Sequence, residues 1–213
     1  MVVFLYKKEK FLQRRIKTMA TKVFDVASMV CEDVQAYVRS CKFGTGTDDA
    51  FVPATVADGA FVVLGGLADD TTYTGTAYAG MKDWNVKHAF APASAALTAD
   101  DVVVIDIDAV SNGVIGGNNY KIGVKLVDLQ VEAGYPVRYR VIKKGDMFWL
   151  GSGNFASAPT VGQYANLTAN SVLLTPAAST TASQLNLAIR AAVPMTIGTT
   201  VASGDYKYLV EVL

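Results

Sequence analysis

The chain has 213 residues, of which 51% are apolar and 18% charged, with equal numbers of acidic and basic side chains. That apolar content excludes an intrinsically disordered chain, which lacks the buried surface to offset its lost conformational entropy, and the length suits one sizeable core or two small ones. The neutral balance conceals an uneven distribution: Lys7, Lys8, Lys10, Arg14, Arg15 and Lys17 stand against only Glu9 at the N-terminus, so the remainder is mildly acidic and has no counterion-release drive toward nucleic acid.

Residues 1–18 place an apolar start before the basic run, the reverse of a secretory signal, and no small-residue cleavage site follows. Because Met19-Ala20-Thr21-Lys22 reads as an ordinary protein start, residues 1–18 are expected to be an upstream extension. Residues 19–50 follow as an N-terminal arm or entry segment. Within them Val26, Val30, Val34 and Val38 recur at i+4 spacing, which permits one short amphipathic helix, although β-branched valine is a weak helix former. Cys31 and Cys41 are the only cysteines, too few for a disulfide framework or a thiolate metal site, and they fit a reducing compartment. No apolar stretch reaches the roughly 18 residues that a membrane-spanning helix needs, so a soluble protein with no membrane partner is expected.

From Phe51 onward, short β-type runs alternate with Gly, Asn, Asp and Pro punctuation, the pattern of an all-β, mainly antiparallel barrel or sandwich. The clearest strands are 60–64, 102–107, 137–142, 146–150 and 206–212. After Pro136, Val137, Tyr139 and Val141 point one way and Arg138, Arg140 and Ile142 the other, so one face can pack while the other meets solvent or a partner. Asp58-Gly59, Asn112-Gly113, Lys144-Gly145 and Ser203-Gly204 supply the positive φ of tight connections. The gaps are too rich in glycine, threonine and proline for crossover helices, which argues for antiparallel pairing. Two small β subdomains, 51–145 and 146–213, are compatible with this spacing. A surface loop is expected over 167–183, and Leu185, Leu187 and Ile189 then restore a strand before Pro194.

Catalytic chemistry is hard to find. General acid–base and nucleophilic mechanisms lean on histidine, and the single histidine, His88, has no base partner or orienting carboxylate visible in sequence. Asp48-Asp49, Asp69-Asp70, Asp100-Asp101 and the Asp106/Asp108 pair lack the spacing of a calcium loop and read as turn carboxylates. Gly44-Thr45-Gly46 and Gly151-Ser152-Gly153 lack the lysine and hydroxyl of a phosphate loop. Asn166-Leu167-Thr168 matches a glycosylation pattern without an export signal. The expectation is therefore a non-enzyme with no metal and no cofactor. Trp84 and Trp149 are candidate exposed aromatics for a sugar-binding or protein-binding face; Trp149, flanked by Phe148 and Leu150, favours core packing.

The order of segments carries a further signal. It runs through Asp58-Gly59-Ala60-Phe61-Val62-Val63-Leu64-Gly65, the Asp100 to Ile107 strand, Ala133-Gly134-Tyr135-Pro136-Val137-Arg138-Tyr139, Lys144-Gly145-Asp146-Met147-Phe148, Pro159-Thr160-Val161-Gly162-Gln163-Tyr164 and the terminal Tyr206 to Leu213 strand. This series resembles the capsid decoration, or cement, proteins of tailed bacteriophages. The resemblance implies a structural virion protein, made in the bacterial cytoplasm, that sits on the outer capsid surface and bridges major capsid subunits. It also implies the major capsid protein as partner, with self-association into a trimer or another homo-oligomer open. An arm including Thr21, Lys22, Val23, Phe24, Asp25 and Val26 would contact the capsid by adding a strand to an exposed edge. The competing reading is a carbohydrate- or receptor-binding β-domain of a fibre or adhesin.

Overall fold

A computed structural model describes residues 24–30, 38–69, 82–107, 114–115, 118–119, 130–197 and 200–213. The first strands are Phe24–Val30 (β1), Val38–Thr45 (β2), Val52–Pro53 (β3), Val56–Ala57 (β4), Phe61–Asp69 (β5), Lys82–Phe90 (β6) and Val103–Ile105 (β7). Val114–Ile115 (β8), Asn118–Asn119 (β9), Gln130–Val131 (β10), Val137–Val141 (β11) and Met147–Gly151 (β12) follow. Tyr164–Leu167 (β13), Leu174–Ala177 (β14), Asn186–Ile197 (β15) and Thr200–Val212 (β16) complete the set. Single 3-10 turns lie at Asp48–Ala50 and Ser152–Asn154. The fold is all-β and mainly antiparallel.

Five strands close on themselves in the order β11, β7, β5, β6, β2, with β2 pairing back to β11, and β3 extends β2. Alternation along each strand sends Cys41, Val62, Ala89, Val103, Ile105, Val137 and Tyr139 into the barrel, where they form one buried cluster. One pair departs from the expected antiparallel pattern: β2 and β6 run parallel, Cys41 opposite Lys87. The long stretch between them, which itself supplies β3, β4 and β5, provides the crossover that parallel neighbours require.

The opposite parity of the same strands faces outward, and there Phe61, Val102, Val104 and Ile142 meet a second sheet ordered β1, β12, β16, β15, β13, β14. That sheet contributes Phe148, Leu150, Leu187, Ile189, Tyr208 and Val210 to the larger core. Each fully buried side chain of this size contributes about 2 kcal/mol relative to exposure. Asn154 ties the two layers: its Nδ2 donates to the Asp58 carbonyl at 2.7 Å, and its Oδ1 accepts from Gly151 N at 3.1 Å. Gly59 turns beside it at φ +70, where a Cβ would meet the Asn154 amide.

Several expectations are corrected. Residues 19–50 are not simply an arm: β1 forms one edge of the second sheet and β2 is a stave of the barrel. The helix allowed by the valine spacing is replaced by these strands, as β-branched side chains favour. The larger core draws on side chains from both 51–145 and 146–213. The loop expected over 167–183 contains β14. The strand expected to end before Pro194 continues to Ile197, with Pro194 opposite Tyr206 and a bulge before Thr196. Proline is tolerated there because β13 flanks β15 only over Asn186 to Ala188, and among the described residues no strand pairs with that edge of β15 at Pro194. Among the described residues no helix is long and apolar enough to cross a membrane.

Candidate functional site

Leaving β2, the chain turns through Gly46 at φ +91 and enters the 3-10 turn at Asp48. Here the register of β5 against β6 jumps from Leu64 opposite Ala89 to Leu67 opposite Lys87, so Gly65 and Gly66 bulge across from His88. Asp48 fills the gap in the ladder. Its two carboxylate oxygens each accept from Gly66 N at 2.9 Å, and Oδ1 lies 3.0 Å from His88 Nδ1. Phe51 stacks on the buried His88 ring at 4.0 Å and 5°, and Phe90 stands edge-on to both rings. A Cβ on Gly65 would run into the Asp48 carboxylate and the Phe90 ring, so glycine is required for this approach.

The sequence offered His88 no orienting carboxylate; the fold brings Asp48 to it, and half of the Asp48-Asp49 pair is thus a clamp and not a plain turn residue. Beside the clamp opens a cleft of about 610 Å³ lined by Thr45, Asp48, Val63, Phe90, Leu97 and Asn170, among others. Its walls combine apolar side chains, hydroxyls and a half-exposed carboxylate.

A second cluster lies on the outer face of the barrel. Arg138 and Arg140 were expected to face solvent or a partner, but both turn onto the fully buried Asp106. Its Oδ2 accepts from Arg140 Nε at 2.7 Å and from an Arg138 terminal nitrogen at 3.2 Å, while Oδ1 has no hydrogen-bond partner among the described residues. Two half-buried guanidinium groups thus compensate one buried carboxylate, as burial of charge demands. Inside the barrel, burial pushes the Cys41 thiol up to about 12, which keeps it protonated and unreactive near neutrality. Tyr139 is also raised, chiefly by burial, with Cys41 adding and Arg39 opposing.

The remaining candidates are scattered. Thr21, Lys22 and Val23 lie outside the described residues, as do Asp70 and Asp108. Phe24, Asp25 and Val26 begin β1, which spends one edge on its own sheet, with Phe24 opposite Leu150 and Asp25 opposite Trp149. Trp84 belongs to β6 of the barrel and Trp149 to β12 of the second sheet. Trp149 does not join the main core: Phe148 and Leu150 are fully buried, so strand alternation turns Trp149 to the other face, where it is half-buried. Asp101 caps its own turn, and its carboxyl is held below the usual range by the backbone and hydroxyl of Thr98. Asn166 is buried and donates to Thr181. Ser152 to Asn154 form a 3-10 turn. Among the described residues no three His, Cys, Asp or Glu side chains converge as a metal site would require.

The apolar surface that the sequence reading overlooked is elsewhere. Tyr135 is 63% exposed and Val52 60%, and Pro53 and Pro136 are exposed beside them. The readable clue to this exposure is the neighbouring Pro136, since proline at a strand start marks an edge or rim. No protein-family model, no curated protein and no solved structure matches this chain.

Proposed function

We propose that this chain is a structural virion protein that binds the outer surface of a tailed-phage capsid and steadies the shell by bridging major capsid subunits. The observation that carries the reading is the ordered series of turn-and-strand segments, from Asp58-Gly59 to Tyr206-Leu213, that resembles the decoration family. A physical point supports it. Asp48, Asp106, Arg138, Arg140 and His88 are engaged in contacts that hold strands and turns together, leaving a rigid body whose usefulness lies in its surface. Many copies on a lattice bind far more strongly than one alone, because each occupied neighbour raises the effective concentration of the next contact.

The partner in this proposal is the major capsid protein; self-association is a second contact of the same kind. Nucleic acid and membrane are not partners of the folded body. Adding purified protein to shells that lack it, followed by sedimentation, tests the proposal. It predicts saturation at a fixed ratio to capsid subunits, and shells that stay bare at micromolar protein contradict it.

A second reading, a carbohydrate- or receptor-binding domain, is favoured by the cleft beside Asp48, which is lined by a half-exposed carboxylate, Phe90 and Asn170. Specific retention of one glycan class on an array, lost in Phe90→Ala, would put this reading ahead of the first.

A further inference from the structure

The cleft beside the Asp48–His88 contact is walled by four parts of the chain that meet only in the fold: the turn leaving β2, the β5 bulge, the end of β6 with the loop after it, and Asn170. Its volume of about 610 Å³ is that of a site for a small molecule. One glycine locates the carboxylate in it. A Cβ built on Gly65 would collide with both Asp48 Oδ1 and Phe90 Cε2, so carboxylate and ring edge converge over the bare Gly65 backbone. Val63, Phe90 and Leu97 supply apolar wall, and Thr45, Thr47 and Ser94 supply hydroxyls. Asp48 is the only charged residue in the lining. Lys42, opposite His88 in the β2–β6 register, and the exposed Asp49 are outside it. The walls are pinned in place: Gly66 N and His88 hold Asp48, Asn170 N donates to Pro92 O at 2.7 Å, and Ala96 N donates to Ser94 Oγ at 3.0 Å.

From this arrangement we infer that the cleft is a binding site for a small organic cation, a primary ammonium group carried on an apolar body. The ammonium pairs with the half-exposed Asp48 carboxylate in a charge-assisted contact, and the apolar body lies against Val63, Phe90 and Leu97. An anion is disfavoured, because the carboxylate repels it in a recess that no lysine or arginine lines. A neutral ligand that covers Asp48 strips water from its charge without compensating it. Because the carboxylate is already held by Gly66 N and His88, little ordering is left for binding to impose on it. This inference is independent of the shell-binding reading, and it differs from the carbohydrate reading of the same cleft in the charge of the ligand.

The full chain, isotopically labelled for amide spectra, is titrated with three probes that share one apolar body: phenethylammonium, 2-phenylethanol and 3-phenylpropionate. Glucose is the fourth probe. The expected result is saturable shifts at the Gly65, Gly66 and Phe90 amides, with affinity falling from cation to alcohol to carboxylate. The cation leads the alcohol by about fivefold or more, and added salt narrows the lead. Asp48→Asn, which keeps an acceptor for Gly66 N, removes that lead, while Asp49→Asn, beside the cleft but outside its lining, leaves it. Equal affinity of the three probes for wild type overturns the inference, as does the absence of saturation with any of them. That comparison needs no variant and decides alone if Asp48→Asn does not fold. A cation preference that survives in folded Asp48→Asn also overturns it. Saturable glucose binding at the same amides without a cation preference overturns it in favour of the carbohydrate reading. None of these results bears on shell binding, which is read from the coating of bare shells.

Discussion

Asp48 and His88 stand forty positions apart in the chain and meet at 3.0 Å, Oδ1 to Nδ1, across a two-glycine bulge that the same carboxylate caps at Gly66 N. This contact is structural in consequence: it fixes the loop leaving β2 against the β5–β6 pair and shapes the adjoining cleft. Asp48→Ala is expected to lower stability by about 1 kcal/mol, at the modest end because the carboxylate is half exposed. Asp48→Asn should keep part of that, since its amide oxygen still accepts from Gly66 N. Urea unfolding of the three proteins checks the order.

Asp106 gives a larger effect. Asp106→Ala removes the buried carboxylate that Arg138 and Arg140 both contact and is expected to cost about 3 kcal/mol. Replacing all three side chains with apolar ones of similar volume should recover most of that loss. Equal destabilisation of the single and triple variants in urea would contradict this account of the cluster.

Much of the architecture was legible because strand alternation is a local property. Val137, Tyr139, Phe148 and Leu150 carry their burial in the pattern, and the β11 and β12 boundaries follow within a residue or two. Partners across the chain were not legible. Nothing local to His88 names Asp48, nothing local to Asp106 names two arginines beyond residue 130, and the closure of β2 on β11 depends on register between distant segments. Trp149 shows the limit of composition: its apolar neighbours suggest the core, yet period-two geometry puts it on the opposite face from them. The approach of Gly134 to Pro53 is likewise a product of topology, since β3 and the turn before β11 are contiguous only in three dimensions.

Cys41 makes a pH prediction. The thiol titrates near 9.0 when exposed and about 12 in the barrel. Its contribution to stability is therefore complete below pH 9 and is lost as pH rises toward 12, because the unfolded thiol ionises first. Tyr139, raised by burial, acts in the same direction. Stability measured between pH 9 and 11 should fall more steeply in wild type than in Cys41→Ala. In a Cys31→Ser background, alkylation of Cys41 at pH 8 should proceed only at the rate of global opening, and rapid alkylation of the folded protein would contradict its burial.

The shared core makes another. Phe61, Val104 and Ile142 of the barrel are buried by Phe148, Leu187 and Val210 of the second sheet, so the two layers should unfold in one transition. Phe148→Ala is expected to cost about 3 to 5 kcal/mol and to shift far-UV and fluorescence transitions together. Two separated transitions would show that the layers are independent.

The central claim is that this protein acts by sitting on a viral shell, and imaging of particles made with and without it tests that claim most directly. The account predicts outer-surface density, at regular positions between capsid subunits, that is present only when the protein is made. Particles with identical outer surfaces in the two cases would contradict it.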